Sequence, residues 1–194
     1  MSTVSDVIIH DHKELKDYFN EIVNSTDHDH QARYGNQFVW ELARHSIAEE
    51  LIVYPAFEKY LPEGKTMAES DRKQHHQLKE HLKEFQNMKA SHPEYVPKLK
   101  SLYTLLEQHI AEEERDDLPK FEKALSNEDG VSAKLAANFQ RTKKFLPTRS
   151  HPSAGEALKP KLMYNQNPAF ESAMGLLAAP IDKLADMFRK FPVK

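Results

Sequence analysis

The chain has 194 residues, 29% of them charged and 39% hydrophobic, and its formal net charge of −3 gives no general attraction to nucleic acid. Cysteine is absent, which excludes disulfides and thiolate metal sites. No apolar run is long enough to span a membrane, and the N-terminus lacks the basic and apolar pattern of a secretory signal. We therefore expect a cytoplasmic protein without a nucleic-acid partner or a membrane span.

Apolar residues at three- and four-residue spacing predict four helices within residues 1–127. Thr66 and Glu69 are typical of a capping box at the start of the third helix. Pro55 should kink or tighten the second helix because proline lacks a backbone donor, and Pro119 should interrupt the fourth near its end. The predicted helices cover residues 4–25, 32–61, 66–89 and 95–125.

Residues 128–194 are predicted to form a helical extension of this domain. A fifth helix is expected at 131–145, followed by a linker at 147–168 that is rich in proline, serine and asparagine. An amphipathic sixth helix is expected at 169–190. Because its polar face mixes acidic and basic side chains, we expect it to pack on the bundle or on a partner subunit rather than on a membrane.

The histidines lie within an internal repeat. The segment His45-Ser-Ile-Ala-Glu49-Glu50 matches residues 109–114 without a gap, and the helices that carry His12 and His75 also match each other. The chain is therefore two similar helical hairpins. This pattern predicts an all-α fold, an antiparallel up-down-up-down four-helix bundle.

The repeat also places metal-binding residue types together. A His-x-x-x-Glu pair directs an imidazole and a carboxylate to one point, since residues i and i+4 share a helix face. Each hairpin adds one histidine from its other helix, so two metal ions could take two imidazoles each and share both carboxylates. Nitrogen and oxygen donors without sulfur suit iron or manganese, with zinc as a further option. The predicted ligands are His12, His45, Glu49, His75, His109 and Glu113.

Two alternatives accompany this ligand set. His76 is a rival to His75 because it has a possible i, i+4 partner in Glu80, but it lies off the apolar stripe of the third helix. A bundle without metal is the second alternative. It is disfavoured because two buried carboxylates without a cation would be strongly destabilising.

Together these motifs resemble the hemerythrin-like cation-binding domains, also called HHE domains. The match covers residues 4–125, and the C-terminal part resembles the extension of fungal members. The resemblance implies a non-haem di-iron centre, oxo- or hydroxo-bridged, in which Glu49 and Glu113 bridge the two iron ions; manganese or zinc is less expected. The matching pieces are Asp11-His12, His45-x-x-x-Glu49-Glu50 before Tyr54-Pro55, His75 before Leu78, and His109-x-x-x-Glu113-Glu114 before Leu118-Pro119.

The resemblance further implies binding or sensing of O2 or another small diatomic ligand, of iron, or of redox state. A di-iron oxygenase or oxidase acting on a small organic substrate is the first alternative, and iron storage or detoxification is the second. Hemerythrin proper has a fifth histidine one turn after the first in helix 3, where this chain has Lys79. We therefore expect a more open iron, which favours O2 reduction, O2 activation or iron sensing over simple reversible storage.

Overall fold

The computed structural model describes residues 2–151 and 178–193, and all regular secondary structure in these ranges is helical. Two five-residue π-helical segments, Glu49–Val53 and Glu113–Asp117, continue the second and fifth helices. Residues 178–186 form a further short helix. The remaining helices are α1 (Val4–Val23), α2 (His28–Ala48), α3 (Tyr54–Tyr60), α4 (Gly64–Phe85), α5 (Tyr95–Glu112), α6 (Leu118–Leu125) and α7 (Val131–Lys143).

Four helical rods build the bundle: α1, α2 with α3, α4, and α5 with α6. Successive rods are joined by short turns and pack on each other, while α1 also packs on α5 and closes the bundle. The predicted all-α bundle is thus confirmed. The predicted fifth helix, α7, packs across α1 and α2. Among the described residues, no helix is both long and apolar enough to cross a bilayer.

The core has two apolar clusters with a polar layer between them. One cluster includes Phe57, Phe121 and Phe139, and the other includes Phe38 and Phe85, all almost fully buried. Along each rod, the predicted metal-binding histidine falls between residues of the first cluster and residues of the second. Apolar side chains therefore shield the polar layer from solvent on both sides, which strengthens electrostatic interactions within it.

The helix starts differ in part from the prediction. The capping box predicted at Thr66 is wrong, since α4 begins at Gly64 and Thr66 is already inside its first turn. The Gly64 amide donates to the Leu61 carbonyl, which starts the helix early, and a Cβ at Gly64 would collide with the backbone of Phe57. Thr3 forms the capping box of α1 together with Asp6.

The two rods that consist of two helices, α2 with α3 and α5 with α6, each widen just before a proline. The amide of Tyr54 donates to the carbonyl of Glu49, and the amide of Leu118 donates to that of Glu113, which is the i→i+5 pattern of a π-helix. Pro55 and Pro119 follow directly and cannot donate to the carbonyl four residues earlier. The tightening predicted at Pro55 is therefore wrong, because the turn before it becomes wider.

The helix at 178–186 is bound to residues 148 and 149 through an acidic side chain. Asp182 accepts hydrogen bonds from the backbone amides of Thr148 and Arg149 at 3.2 and 3.1 Å. Ile181 and Leu184, which the sequence places on the apolar face, are 71% and 61% exposed. The backbone amides of Thr148 and Arg149 thus determine which face of this helix packs inward. This helix ends at residue 186, so the predicted end at 190 is wrong, and residues 152–177 of the predicted linker and sixth helix lie outside the described residues.

Gly35 provides a test of how closely α2 packs against Tyr95 of α5. A Cβ at Gly35 would collide with the hydroxyl of Tyr95, which donates to the Gln31 carbonyl at 3.3 Å. We expect Gly35→Ala to lower the free energy of unfolding by about 1–3 kcal/mol, as overpacking usually does. Tyr95→Phe should recover part of that loss in the double variant. Urea titrations of the four proteins measure the coupling, and strictly additive effects would contradict this explanation.

Candidate metal centre

The polar layer contains all six predicted ligand side chains, with exposed fractions between 0% and 3%. The rods position them: each histidine lies near the middle of its rod and faces inward, and each glutamate is the first residue of a π-helical segment. His12 lies on α1, His45 on α2, His75 on α4 and His109 on α5, while Glu49 and Glu113 begin the two π segments.

The imidazoles form two pairs. The ring centroids of His12 and His45, the first pair, lie 5.0 Å apart. Those of His75 and His109, the second pair, lie 4.7 Å apart, with their Nε2 atoms separated by 3.0 Å. Two nitrogen donors at such distances from each other suit a shared cation for each pair.

Each glutamate lies between the two pairs. The Oε2 atom of Glu49 is 3.2 Å from Nε2 of His45 and 3.4 Å from Nε2 of His75. The Oε2 atom of Glu113 is 3.4 Å from Nε2 of His12 and 3.9 Å from Nε2 of His109. Each carboxylate therefore reaches one histidine of each pair, which is the placement that a ligand shared by two cations needs.

Six donor atoms of the centre have no hydrogen-bond partner among the described residues. Both carboxylate oxygens of Glu49 and of Glu113, and Nε2 of His12 and His45, are buried and make no hydrogen bond with the described residues. A buried carboxylate without such bonds is costly unless a cation compensates it. In two sets, donor atoms lie within 4.8 Å of one another, and Glu49 belongs to both, once with each pair.

The pKa values reflect the crowding of charge. Burial, followed by the negative charge of Glu113, raises the pKa of Glu49 well above its ordinary value. Burial alone would lower the pKa of His12, but the carboxylates of Glu113 and Glu114 raise it to about 9. Burial lowers the pKa of His109 to about 3, although Glu113 opposes the change. A cation that binds here therefore displaces protons and takes over their role in balancing charge.

The Nδ1 atoms of the two His-x-x-x-Glu histidines face side chains from the other helix of the same hairpin. His45 Nδ1 lies 3.1 Å from Asp11 Oδ2, and His109 Nδ1 lies 2.7 Å from Gln74 Oε1. Asp11 and Gln74 occupy equivalent positions in the repeat, each just before the lone histidine of its hairpin. An Nδ1–H donor held in this way leaves Nε2 free to face the glutamates.

The lone histidines are oriented by the acidic residue that follows each central glutamate. His12 Nδ1 lies 2.8 Å from Glu114 Oε1, and His75 Nδ1 lies 3.3 Å from Glu50 Oε1. Glu50 also receives the Lys79 ammonium at 2.5 Å. Lys79 therefore contacts a residue behind His75 and takes no place among the six donors.

The rival histidine is placed differently from His75. The His76 residue is exposed, whereas His75 is 1% exposed and belongs to the second pair.

Tyr54 is a buried polar group at the centre that the sequence analysis did not single out. Its hydroxyl is 2.9 Å from Nε2 of His75. Burial, followed by the charge of Glu49, raises its pKa well above the ordinary value, so the phenol stays protonated and can donate. The repeat contained the signal, because the equivalent position in the other hairpin is Leu118.

Asp71 is a second buried polar group that the sequence analysis missed. It lies on α4 one turn before His75 and is 5% exposed, and its Oδ2 atom has no hydrogen-bond partner among the described residues. Burial and the charge of Glu113 raise its pKa to about 8. It too breaks the repeat, since the matching residue in α1 is Ile8.

Comparison with known proteins gives consistent matches. The family model described as a hemerythrin HHE cation-binding domain matches residues 3–121. An uncharacterized hemerythrin-like protein of Schizosaccharomyces pombe is 50% identical over 193 residues, 99% of this chain and 89% of that protein. A DNA nickase of a Nostoc species is 26% identical over 146 residues, 75% of this chain and 40% of that protein.

A solved structure shares the fold. The crystal structure of a hemerythrin HHE cation-binding domain-containing protein from Mycobacterium kansasii matches with a TM-score of 0.61 and 21% sequence identity. The match covers 90% of this chain and 99% of that one.

The fold and the buried histidine–glutamate cluster define a metal-binding helical bundle. The family model covers more than half of the chain, and the fungal relative matches nearly all of it. The chain belongs to the hemerythrin-like HHE cation-binding family. The resemblance inferred from the repeated His-x-x-x-Glu motifs is thereby confirmed.

The pKa of Asp71 makes stability depend on pH in the metal-free protein. Because its folded-state pKa of about 8 exceeds the ordinary 3.8, folding favours the protonated acid. This stabilisation is complete below pH 4 and is lost as the pH rises to about 8, with a slope of up to about 1.4 kcal/mol per pH unit.

Replacing Asp71 with asparagine should remove that slope. Urea unfolding with a chelator present, between pH 4 and 9, should show wild type losing stability relative to Asp71→Asn as the pH rises. Asp129→Asn, at an exposed position, is the matched control. Parallel curves for wild type and Asp71→Asn would contradict the assignment.

Proposed function

We propose that this protein is a non-haem di-iron protein that binds or senses O2 or another small diatomic ligand, iron, or the redox state. One observation carries the proposal. Four carboxylate oxygens, those of Glu49 and Glu113, are buried between two pairs of imidazoles and make no hydrogen bond with the part of the chain that the structure describes. A pair of cations would bind these donors and compensate the negative charge of the carboxylates, which protons alone compensate less completely.

The donor set supports two metal ions of the iron type. His12 and His45 would hold one ion, His75 and His109 would hold the other, and the two glutamates would be shared. Imidazole and carboxylate donors suit iron, and the absence of cysteine removes the ligands that would favour softer metals. Such a set gives each ion two imidazoles and two shared carboxylates, fewer donors than octahedral iron accepts.

The surroundings support binding of a small ligand. When bound, the two iron ions would supply open coordination positions and electrons for O2. The apolar clusters on both sides exclude bulk water, and the protonated Tyr54 hydroxyl beside His75 can donate a hydrogen bond to a ligand at the second pair. Lys79 contributes to Glu50 rather than to the donor set, which leaves that side more open.

An O2-reducing oxidase or oxygenase is the second candidate, and Asp71 is the observation that favours it. Reduction of O2 consumes protons, and a buried acid with a pKa of about 8 holds a proton near the second pair at neutral pH. Tyr54 provides another protonated group beside it.

Metal analysis of purified protein tests the centre itself. We expect near two iron ions per chain, and we expect His45→Ala and Glu113→Ala to lose most of the metal because each removes a donor from the buried set. His76→Ala serves as a matched control, since it removes an exposed histidine next to His75. Elemental analysis gives the result. Unchanged metal in both variants, or no transition metal in wild type, would overturn the proposal.

The reaction with O2 distinguishes the two candidates. Protein reduced without oxygen is mixed with O2 and followed by its optical spectrum. A change that reverses when O2 is removed supports binding, whereas rapid irreversible oxidation supports the oxidase.

Tyr54→Phe should weaken O2 binding by about fivefold, the effect of losing one hydrogen bond of about 1 kcal/mol. Tyr60→Phe, on the same short helix, is the control. Equal O2 affinity in wild type and Tyr54→Phe would show that the hydroxyl does not contact the ligand.

A further inference from the structure

The two histidine pairs differ in the charge behind them. In the first pair, Nδ1 of His45 faces a carboxylate, Asp11, at 3.1 Å. At the equivalent place in the second pair, Nδ1 of His109 faces the neutral amide oxygen of Gln74 at 2.7 Å. The lone histidine of each pair faces a glutamate in both cases, so among the side chains that face the Nδ1 atoms the pairs differ at Asp11 and Gln74.

The Asp11 carboxylate is fixed in place by the extension. The ammonium of Lys143, at the end of α7, contacts both Asp11 and Glu41, and Glu41 also binds Arg44 at 2.5 Å. Lys143 is 8% exposed, so this ion pair is shielded from water. α7 lies outside residues 3–121, the part of the chain that the family model matches.

Lys143 also contacts a cluster of carboxylates beside the first pair. Asp11, Glu14 and Glu41 offer carboxylate oxygens within 4.8 Å of one another, which is a possible cation-binding group. The Lys143 ammonium contacts two of these three residues. Phe139, one turn earlier on α7, places its ring centroid 6.0 Å from that of His45. Lys143 therefore contacts the carboxylate beside His45, and Phe139 lies against the His45 ring itself.

A carboxylate behind an imidazole changes its strength as a ligand. An Nδ1–H that donates to an anion gives the ring more negative character and makes Nε2 a better donor to a metal than an Nδ1–H that donates to an amide does. The same bond fixes the tautomer and the ring orientation. The Lys143 ammonium contacts the Asp11 carboxylate and so holds it in place beside Nδ1 of His45.

We propose that the two metal positions bind metal with unequal affinity and that the His12–His45 position fills first. The reason is that Nδ1 of His45 faces the Asp11 carboxylate, which Lys143 holds in place, whereas Nδ1 of His109 faces the neutral amide of Gln74. Asp11 and Lys143 are positioning residues that act through His45. This inference rests on the proposed centre but not on its reaction with O2. It is therefore tested with a metal that does not react with O2.

Stepwise loading with Zn²⁺ shows which position fills first. Histidine side chains labelled with ¹⁵N are observed by NMR while Zn²⁺ is added to the metal-free full chain in one-equivalent steps. In wild type, the first equivalent should shift the Nε2 signals of His12 and His45, and the second should shift those of His75 and His109. Chelator competition gives the two affinities.

Exchanging the two positioning side chains should reverse the order. Asp11→Asn keeps the shape but removes the charge, and it should weaken the first position by about 10- to 100-fold. Gln74→Glu adds a charge behind His109, so the double variant should load His75 and His109 first. An unchanged filling order in the double variant would overturn the inference.

Lys143 is tested separately. Lys143→Met should weaken the same position as Asp11→Asn and move the Nδ1 signal of His45, while Lys143→Arg should restore both. Lys134→Met, an exposed position on α7, is the matched control. A His45 signal and a first affinity that are unchanged in a folded Lys143→Met variant would overturn the role of Lys143.

The outcomes separate this inference from the proposed function. Two zinc ions bound in the expected order, in a protein that takes up no iron or does not react with O2, would support the unequal positions and contradict the O2-binding function. Two zinc ions of equal affinity in a protein that reacts with O2 would do the opposite. A wild-type chain that binds no zinc through its histidines would overturn the inference and the ligand set together.

Discussion

Two glutamates, Glu49 and Glu113, lie fully buried in the middle of the bundle, with their carboxylate oxygens making no hydrogen bonds to the described residues. This concentration of negative charge is the constraint around which the rest of the structure is arranged. Four imidazoles face the carboxylates, and an apolar cluster packs on each side of this polar layer. The two rods that carry the glutamates widen into a π-helical turn at these residues. Buried carboxylates of this kind need a positive partner, and the histidines provide nitrogen donors that can share one.

The repeat explains the symmetry of the centre, and its breaks explain the asymmetry. Corresponding residues of the two hairpins supply the donors and the glutamates behind the lone histidines. The hairpins diverge where Ile8 corresponds to Asp71 and Leu118 to Tyr54. These breaks concentrate polar side chains near the second pair, since Tyr54 contacts His75 and Asp71 lies one turn before it.

The sequence allowed the fold class and the convergence of six side chains to be predicted, because i, i+4 spacing fixes which residues share a helix face. It did not reveal the contact between His45 and Asp11, since that contact depends on how far one helix is rotated and shifted against its neighbour. Lys143 was missed for the same reason, as it reaches Asp11 from 132 residues away. The start of α4 and the inward face of 178–186 were decided by backbone amides, which apolar periodicity does not record.

The extension gives the two sides of the centre different surroundings. On the first pair, α7 places Phe139 against His45 and Lys143 against Asp11, so that side is covered and the Asp11 carboxylate is held beside His45. On the second pair, the nearby polar groups include a protonated phenol and a buried acid of raised pKa. A covered position with an anion-backed ligand favours retention of a metal ion, whereas a position beside proton donors favours exchange with a small ligand. The proposed centre therefore has one side suited to holding its metal and one suited to reacting, even though its ligands come from a repeat.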